Sequence, residues 1–390
     1  MSKKEQILTN EMDENLINTL KNYIDDMDIN FEDTKLSKYI YNNISLSIKQ
    51  QETITHDYQL LDFKRSKITN NKFMSKKIVT QINKELNFLY KIHFNYKNID
   101  FYINIYFENT IDIEKYLYYL KLVICFCLNE IENKENKKFF LNLFLLKDKK
   151  EVDMSKFMHN ITPDHINSGY CSHSENNMNI VIYRKEEWIK VFLHECMHAF
   201  NMDFHKENIE FKYIFNETFF INSDFLVYES FVEFWAKIIN CALFTYHLKP
   251  KITFDNFHKI FTLNINIERI FSIIQANKLL KLFDLSYSNI IDKKYEKINK
   301  NLYRENTNAF CYYIITAIMM CKLEHTLQWY DIHNINTINF DKSERQILIF
   351  CYYLNQLAKN KEIIDKITYL DVNKIQQVNS MRMTIFEIYI

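Results

Sequence analysis

The chain has a single glycine and two prolines in 390 residues, where average usage would put about 27 and about 20. One glycine excludes every fingerprint that needs two. There is no GxGxxG dinucleotide loop, no Walker A loop, no GxSxG nucleophile elbow and no kinase glycine-rich loop. An EF-hand would need its turn glycine at Gly169, and no DxDxDG run precedes it. Asn, Lys and Ile take the place of glycine and proline, the mark of an A+T-rich genome acting on the codons. An excess of either charge is also lacking, with 49 basic and 49 acidic side chains, so nothing drives the whole chain toward nucleic acid or an anionic membrane. The longest apolar run, residues 310–321, falls short of the about 20 residues that span a bilayer. The opening residues are polar and carry no secretory pattern. Eight cysteines are scattered without a CxxC pair. Cys125, Cys127, Cys241, Cys311 and Cys321 lie in apolar helical patterns and read as buried free thiols of a reducing compartment. The expectation is a cytoplasmic protein with no nucleic-acid or membrane partner.

What is present is a folding chain, 47% hydrophobic and 16% aromatic, with ample apolar surface for a core. Residues 1–75 are polar with short amphipathic patterns and read as a helical extension. Residues 86–96 and 101–108 are aromatic and β-branched runs expected as strands, followed by a helix over 111–130 and a strand over 139–146. Residues 179–184 form a short buried strand that leads at once into a helix over 185–201. A further helix is expected over 225–244, capped by Ser223 or Asp224. Beyond Pro250 the patterns are helical, over 256–282, 299–323 and 343–359, with a final short strand over 382–390. The fold class is α+β, a mixed sheet in the middle and helices at the end. The expected divisions are 1–75, a catalytic domain over 76–250 and a helical part over 251–390.

Chemistry concentrates in His194-Glu195-Cys196-Met197-His198. On a helix, positions i and i+4 share a face, so the two imidazoles can serve one ion, with Glu195 beside them as a base for water. Chance supplies on the order of 0.02 such HExxH strings in a chain with this histidine content. The motif is flanked by Val191, Phe192, Leu193, Ala199 and Phe200, so its polar groups fall where a core is expected. A tetrahedral site needs a third protein ligand. An HExxHxxGxxH arrangement fails, because positions 201 and 204 hold Asn201 and Phe204, with His205 one residue late. Asp203 would have to fold back sharply. Glu217 stands at HExxH-x18-E spacing, without a clear helix around it. Glu229 and Glu233 sit at i and i+4 on a strongly apolar helical segment, where two carboxylates with no partner would repel and lose solvation. Glu229 on a metal and Glu233 on a histidine N–H would resolve both problems. Glu229 is the preferred third ligand, with Glu217 the alternative.

The motif with its downstream Glu-x-x-x-acid helix resembles the zincin metallopeptidases, and among them the glutamate-zincins. Glu233 stands where that family usually has Asp. The blocks His165–Tyr170, Ile180–Trp188 and Glu229–Ala236 also resemble uncharacterised HExxH proteins of giant DNA viruses, over roughly 70 residues, which would place the chain in host cytoplasm or the virion. The resemblance implies a zincin-like mixed sheet against the HExxH helix and one Zn2+ per chain on His194, His198 and Glu229. It implies Glu233 behind a histidine ligand and Glu195 as general base in peptide hydrolysis, with a peptide or protein as substrate. An edge strand, either 179–184 or one near Gly169, would pair with that peptide. Tyr228, Tyr246, His205 and His247 are the candidates for stabilising the oxyanion. The competing expectation is a zincin-fold structural or interaction protein without catalysis.

Overall fold

The computed structural model describes residues 20, 33–63, 68, 74–132, 137–174, 176–204, 209–333, 338–369 and 379–390. His205 and most of residues 1–32 lie outside them. The chain is α+β: a six-stranded mixed sheet followed by a mainly helical C-terminal part. It divides into two compact units, one of Ile40–Lys150, Asn167–Met202 and Glu387–Ile390, the other of Met1–Tyr39, Glu151–Ile166 and Asp203–Phe386.

The sheet unit is built on β1 (Asp57–Asp62), β2 (Phe88–Tyr96), β3 (Ile99–Phe107), β4 (Lys137–Phe144), β5 (Gly169–Ser174) and β6 (Asn177–Ile182), in the order β1-β2-β3-β4-β6-β5. The β3–β4 and β4–β6 pairs are parallel and the others antiparallel. Alternation sorts the strands into two faces. Phe101, Ile103, Ile105, Phe139, Leu141, Leu143, Ile180 and Ile182 line one face and are almost completely buried. Against it pack α3 (Ile113–Leu128) and α4 (Trp188–Ala199): Tyr116 stacks on Trp188, and Phe139 meets Phe192 and Phe200. The opposite face is part-covered by α2 (Lys76–Glu85), whose Ile78, Val79 and Ile82 join Leu89, Tyr106 and Phe144 in a second cluster. Helix α1 (Thr34–Glu52) is tied to the end of α3 through Asn129, which donates to Asn43, Ser47 and Gln50.

With glycine so scarce, tight turns use other residues. The two-residue β2–β3 hairpin is Lys97-Asn98, with φ of 47° and 62°, a type of turn that glycine normally serves. Lys97 Nζ donates to Leu128 O and Asn129 Oδ1, both at 3.0 Å, at the negative end of α3. Glu187, Asn201, Phe225, Lys251 and Asp284 also have positive φ.

The helical unit contains α5 (Ile209–Asn216), α6 (Val227–His247), α7 (Phe254–Lys281), α8 (Glu296–Leu302), α9 (Phe310–Cys321, its first six residues π-helical), α10 (Leu323–His333), α11 (Glu344–Ala358) and α12 (Lys361–Tyr369).

Four expectations are corrected. Residues 57–62 are an edge strand rather than part of a helical extension. The helix expected over 299–323 breaks at residues 303–309, where Glu305 collects donors from both ends of the interruption. Residues 382–390 are not a strand. Their backbone is served by side chains instead: Lys237 donates to Met383 O and Asn240 to Phe386 O, and Glu268 accepts from Ile385 N. Neither Ser223 nor Asp224 caps α6. The cap is Leu226, without a side-chain bond, while the Ser223 hydroxyl donates to Glu305. The expected buried thiols at Cys125, Cys127, Cys241, Cys311 and Cys321 are indeed buried and free, and among the described residues no helix is long and apolar enough to cross a membrane.

Candidate metal centre

Two charge pairs hold the entry to α4, one half-buried at Asp148 and one fully buried at Glu187. Arg184 Nε and Nη2 both donate to Asp148 Oδ2, at 3.1 and 2.9 Å, and Lys150 Nζ meets Glu187 Oε2 at 2.8 Å. Burial pushes the Lys150 amine below its ordinary range, against the pull of Glu187. Glu187 has a left-handed backbone at the N-cap, and its N–H donates to Glu387 Oε1 at 2.9 Å. The start of α4 is therefore fixed by ion pairs and a side-chain acceptor rather than by a Ser or Asp cap.

From that start the helix lies on β5, the terminal strand of the sheet on this side. The chain's one glycine makes the close approach possible. A Cβ at Gly169 would stand 2.7 Å from Val181 O, 3.1 Å from Val191 Cγ1 and 3.4 Å from Glu195 Oε1. Of the two strands that could form the sheet's edge, the one starting at Gly169 does so, and β6 lies inside it. His173, on β5, places Nε2 3.3 Å from the carbonyl of Ala199 at the end of α4. His165 is a local turn histidine, with Nδ1 accepting from Thr162 N at 3.0 Å.

His194 and His198 point their Nε2 atoms at one another, 3.1 Å apart, with rings inclined by 72°. Two nitrogens bound to one tetrahedral zinc at about 2.0–2.1 Å would stand about 3.3–3.4 Å apart. The pair is thus spaced for a shared ion to within a few tenths of an ångström. His194 and Glu195 are buried and His198 is half-buried.

Helix α6 carries the two downstream carboxylates. Glu229, in its first turn, is buried and accepts from Asn308 Nδ2 at 3.2 Å. The N-terminal end of a helix favours an anion there. Glu233, one turn on, is fully buried. Glu217 follows the end of α5 and is exposed. Asp203 is buried, with Lys342 as a charged neighbour. Tyr246 and His247 occupy the last turn of α6, about 25 Å along the helix axis from Glu229 at 1.5 Å per residue. His247 Nδ1 lies 2.7 Å from Leu243 O, and burial lowers its pKa. Tyr228 is buried with its ring near Phe204.

Ligand atoms of His194, His198 and Glu229 lie within 4.8 Å of one another, and this group could hold a metal ion. Two imidazoles and one carboxylate are a donor set suited to zinc with room for a further ligand. Sequence reasoning did not single out Asn308, since it falls in a stretch read as continuous helix. It named Gly169 near a possible edge strand without foreseeing the close approach of α4 there. Comparison with protein-family models, curated proteins and solved structures finds no match.

Proposed function

We propose that the chain is a zinc-dependent metallopeptidase of the glutamate-zincin kind. The observation that carries this reading is the grouping of His194, His198 and Glu229 around one potential ion. These three would hold the zinc, one ion per chain. Glu233, one helical turn from Glu229, would receive a histidine N–H. Zinc held there would supply Lewis acidity toward a peptide carbonyl and toward water. The chain's own part falls to Glu195. Its carboxylate, next to His194 and above Gly169, takes the proton of the attacking water and returns it to the departing amine nitrogen. Burial of Glu195 strengthens its electrostatic interactions. The edge position of β5 on the α4 side supports binding of an extended peptide by strand addition, which reads backbone more than side chains.

The test begins with zinc stoichiometry by elemental analysis on wild type and His198→Ala. One zinc per chain, lost in the variant, is expected. Glu229→Ala should lose most of the zinc. Glu195→Gln should keep it while abolishing peptide hydrolysis. Wild-type protein that takes up no zinc after exposure to the metal would sink the reading. A Glu195→Gln protein with undiminished hydrolysis would remove the assigned base.

A further inference from the structure

The interruption at residues 303–309, between α8 and α9, is held more firmly than a simple connection requires. On one side Ile161, itself fully buried, grips its backbone: Ile161 N donates to Arg304 O at 3.0 Å, and Ile161 O accepts from Asn306 N at 2.8 Å. On the other side a single carboxylate ties both ends together. Glu305 Oε2 accepts from Tyr303 OH and from Phe310 N, each at 2.8 Å, while Oε1 accepts from Ser223 Oγ at 2.5 Å. Ser223 lies four residues before Val227, where α6 begins, so the knot joins the interruption to the start of that helix. What the interruption presents there is the Asn308 amide, on Glu229 Oε1.

We infer that Asn308 is a positioning residue for Glu229 and that Glu305 acts through it, by fixing the segment from which the amide reaches. This rests on the metal-site reading above. A glutamate side chain loses considerable rotamer freedom when it is held in one orientation. Metal-binding carboxylates are commonly held by outer hydrogen bonds, and loss of such a partner weakens metal binding by about 10–100-fold. An amide suits the role better than a lysine or arginine. It orients the carboxylate without forming an ion pair that would compete with the metal for the same negative charge.

The test is zinc affinity by competition with a chromogenic chelator, on full-length wild type, Asn308→Ala, Glu305→Gln and the double variant, with melting of each zinc-free protein read separately. Asn308→Ala should weaken zinc by about 10–100-fold. Glu305→Gln should weaken it in the same direction when introduced alone, yet by less than about twofold in the Asn308→Ala background, since the two act in series. Should Asn308→Ala melt below the assay temperature, Asn308→Leu, nearly equal in shape and lacking the donor, carries the same comparison. Unchanged affinity on loss of the amide, in a wild type that binds one zinc, would overturn the inference alone. Full additivity would overturn the route through Asn308. A wild type that binds no zinc would take the metal-site reading with it.

Discussion

Gly169→Ala tests how closely α4 lies on the sheet. The new Cβ would meet Val191 Cγ1 at 3.1 Å, a side chain that can tilt, and Val181 O at 2.7 Å, a backbone atom that cannot. Ordinary carbon–oxygen contacts begin at about 3.3 Å, so the backbones of β5 and β6 must separate locally by about half an ångström. Overpacking costs about 1–3 kcal/mol. A backbone obstacle puts this substitution in the upper part of that range, at about 2–3 kcal/mol. For a unit of the sheet's size each kcal/mol lowers the melting temperature by about 2–4 °C, giving a fall of about 4–12 °C. Calorimetry on zinc-free protein reads it directly. The Glu195 contact at 3.4 Å is an ordinary one, so zinc stoichiometry should not change. Adding Val191→Ala relieves the softer contact only, and the double variant should stay well below wild type. Full recovery in that double variant, or a single-variant melting temperature within about 1 °C of wild type, would refute the assignment of the cost to the backbone oxygen.

Other outcomes follow from the buried charges. Glu187→Gln leaves the Lys150 ammonium buried beside a neutral amide and should cost about 3–5 kcal/mol in urea unfolding, whereas Lys150→Met together with Glu187→Leu should cost much less. Burial raises Glu305 to about 7 against the three donors that favour its charge. A carboxyl raised above its unfolded value stabilises most at low pH, and that contribution fades as pH rises through about 4.5 to about 7. The Glu305 contribution should therefore fall by up to about 3 kcal/mol across that window, read as the difference between zinc-free wild type and Glu305→Gln, because the buried His247 changes stability in the opposite sense in both proteins. A stability profile over pH 4.5–7 that is the same for both proteins would remove Glu305 as its source.

The parts of the fold legible in the sequence are those where side-chain period and burial agree. β2, β3 and α3 appear within about two residues of their expected bounds because one apolar set faces one packed layer. α4 and α6 were legible for a different reason: His194, Glu195, His198, Glu229 and Glu233 are polar residues at helical spacing within mainly apolar helices. The failures share a cause. β1, the break at residues 303–309 and the irregular segment after Ser380 are decided by long-range hydrogen bonds, and no local pattern records those. Residues 382–390 alternate like a strand, yet their partners are Lys237, Asn240 and Glu268 from helices over 100 positions away. The cap of α6 was misread because Ser223, a good cap by chemistry, is engaged by Glu305 instead.

Seven non-glycine residues with left-handed backbones among the described residues show what the scarcity of glycine costs. With one glycine in 390 residues, the chain has almost none of the one residue that adopts this conformation freely. Lys97, Glu187, Phe225 and Lys251 adopt it instead, each at about 1–2 kcal/mol above a relaxed backbone. Scarcity of glycine has thereby been converted into torsional strain, and it reaches as far as Glu187, the residue from which the HExxH helix starts.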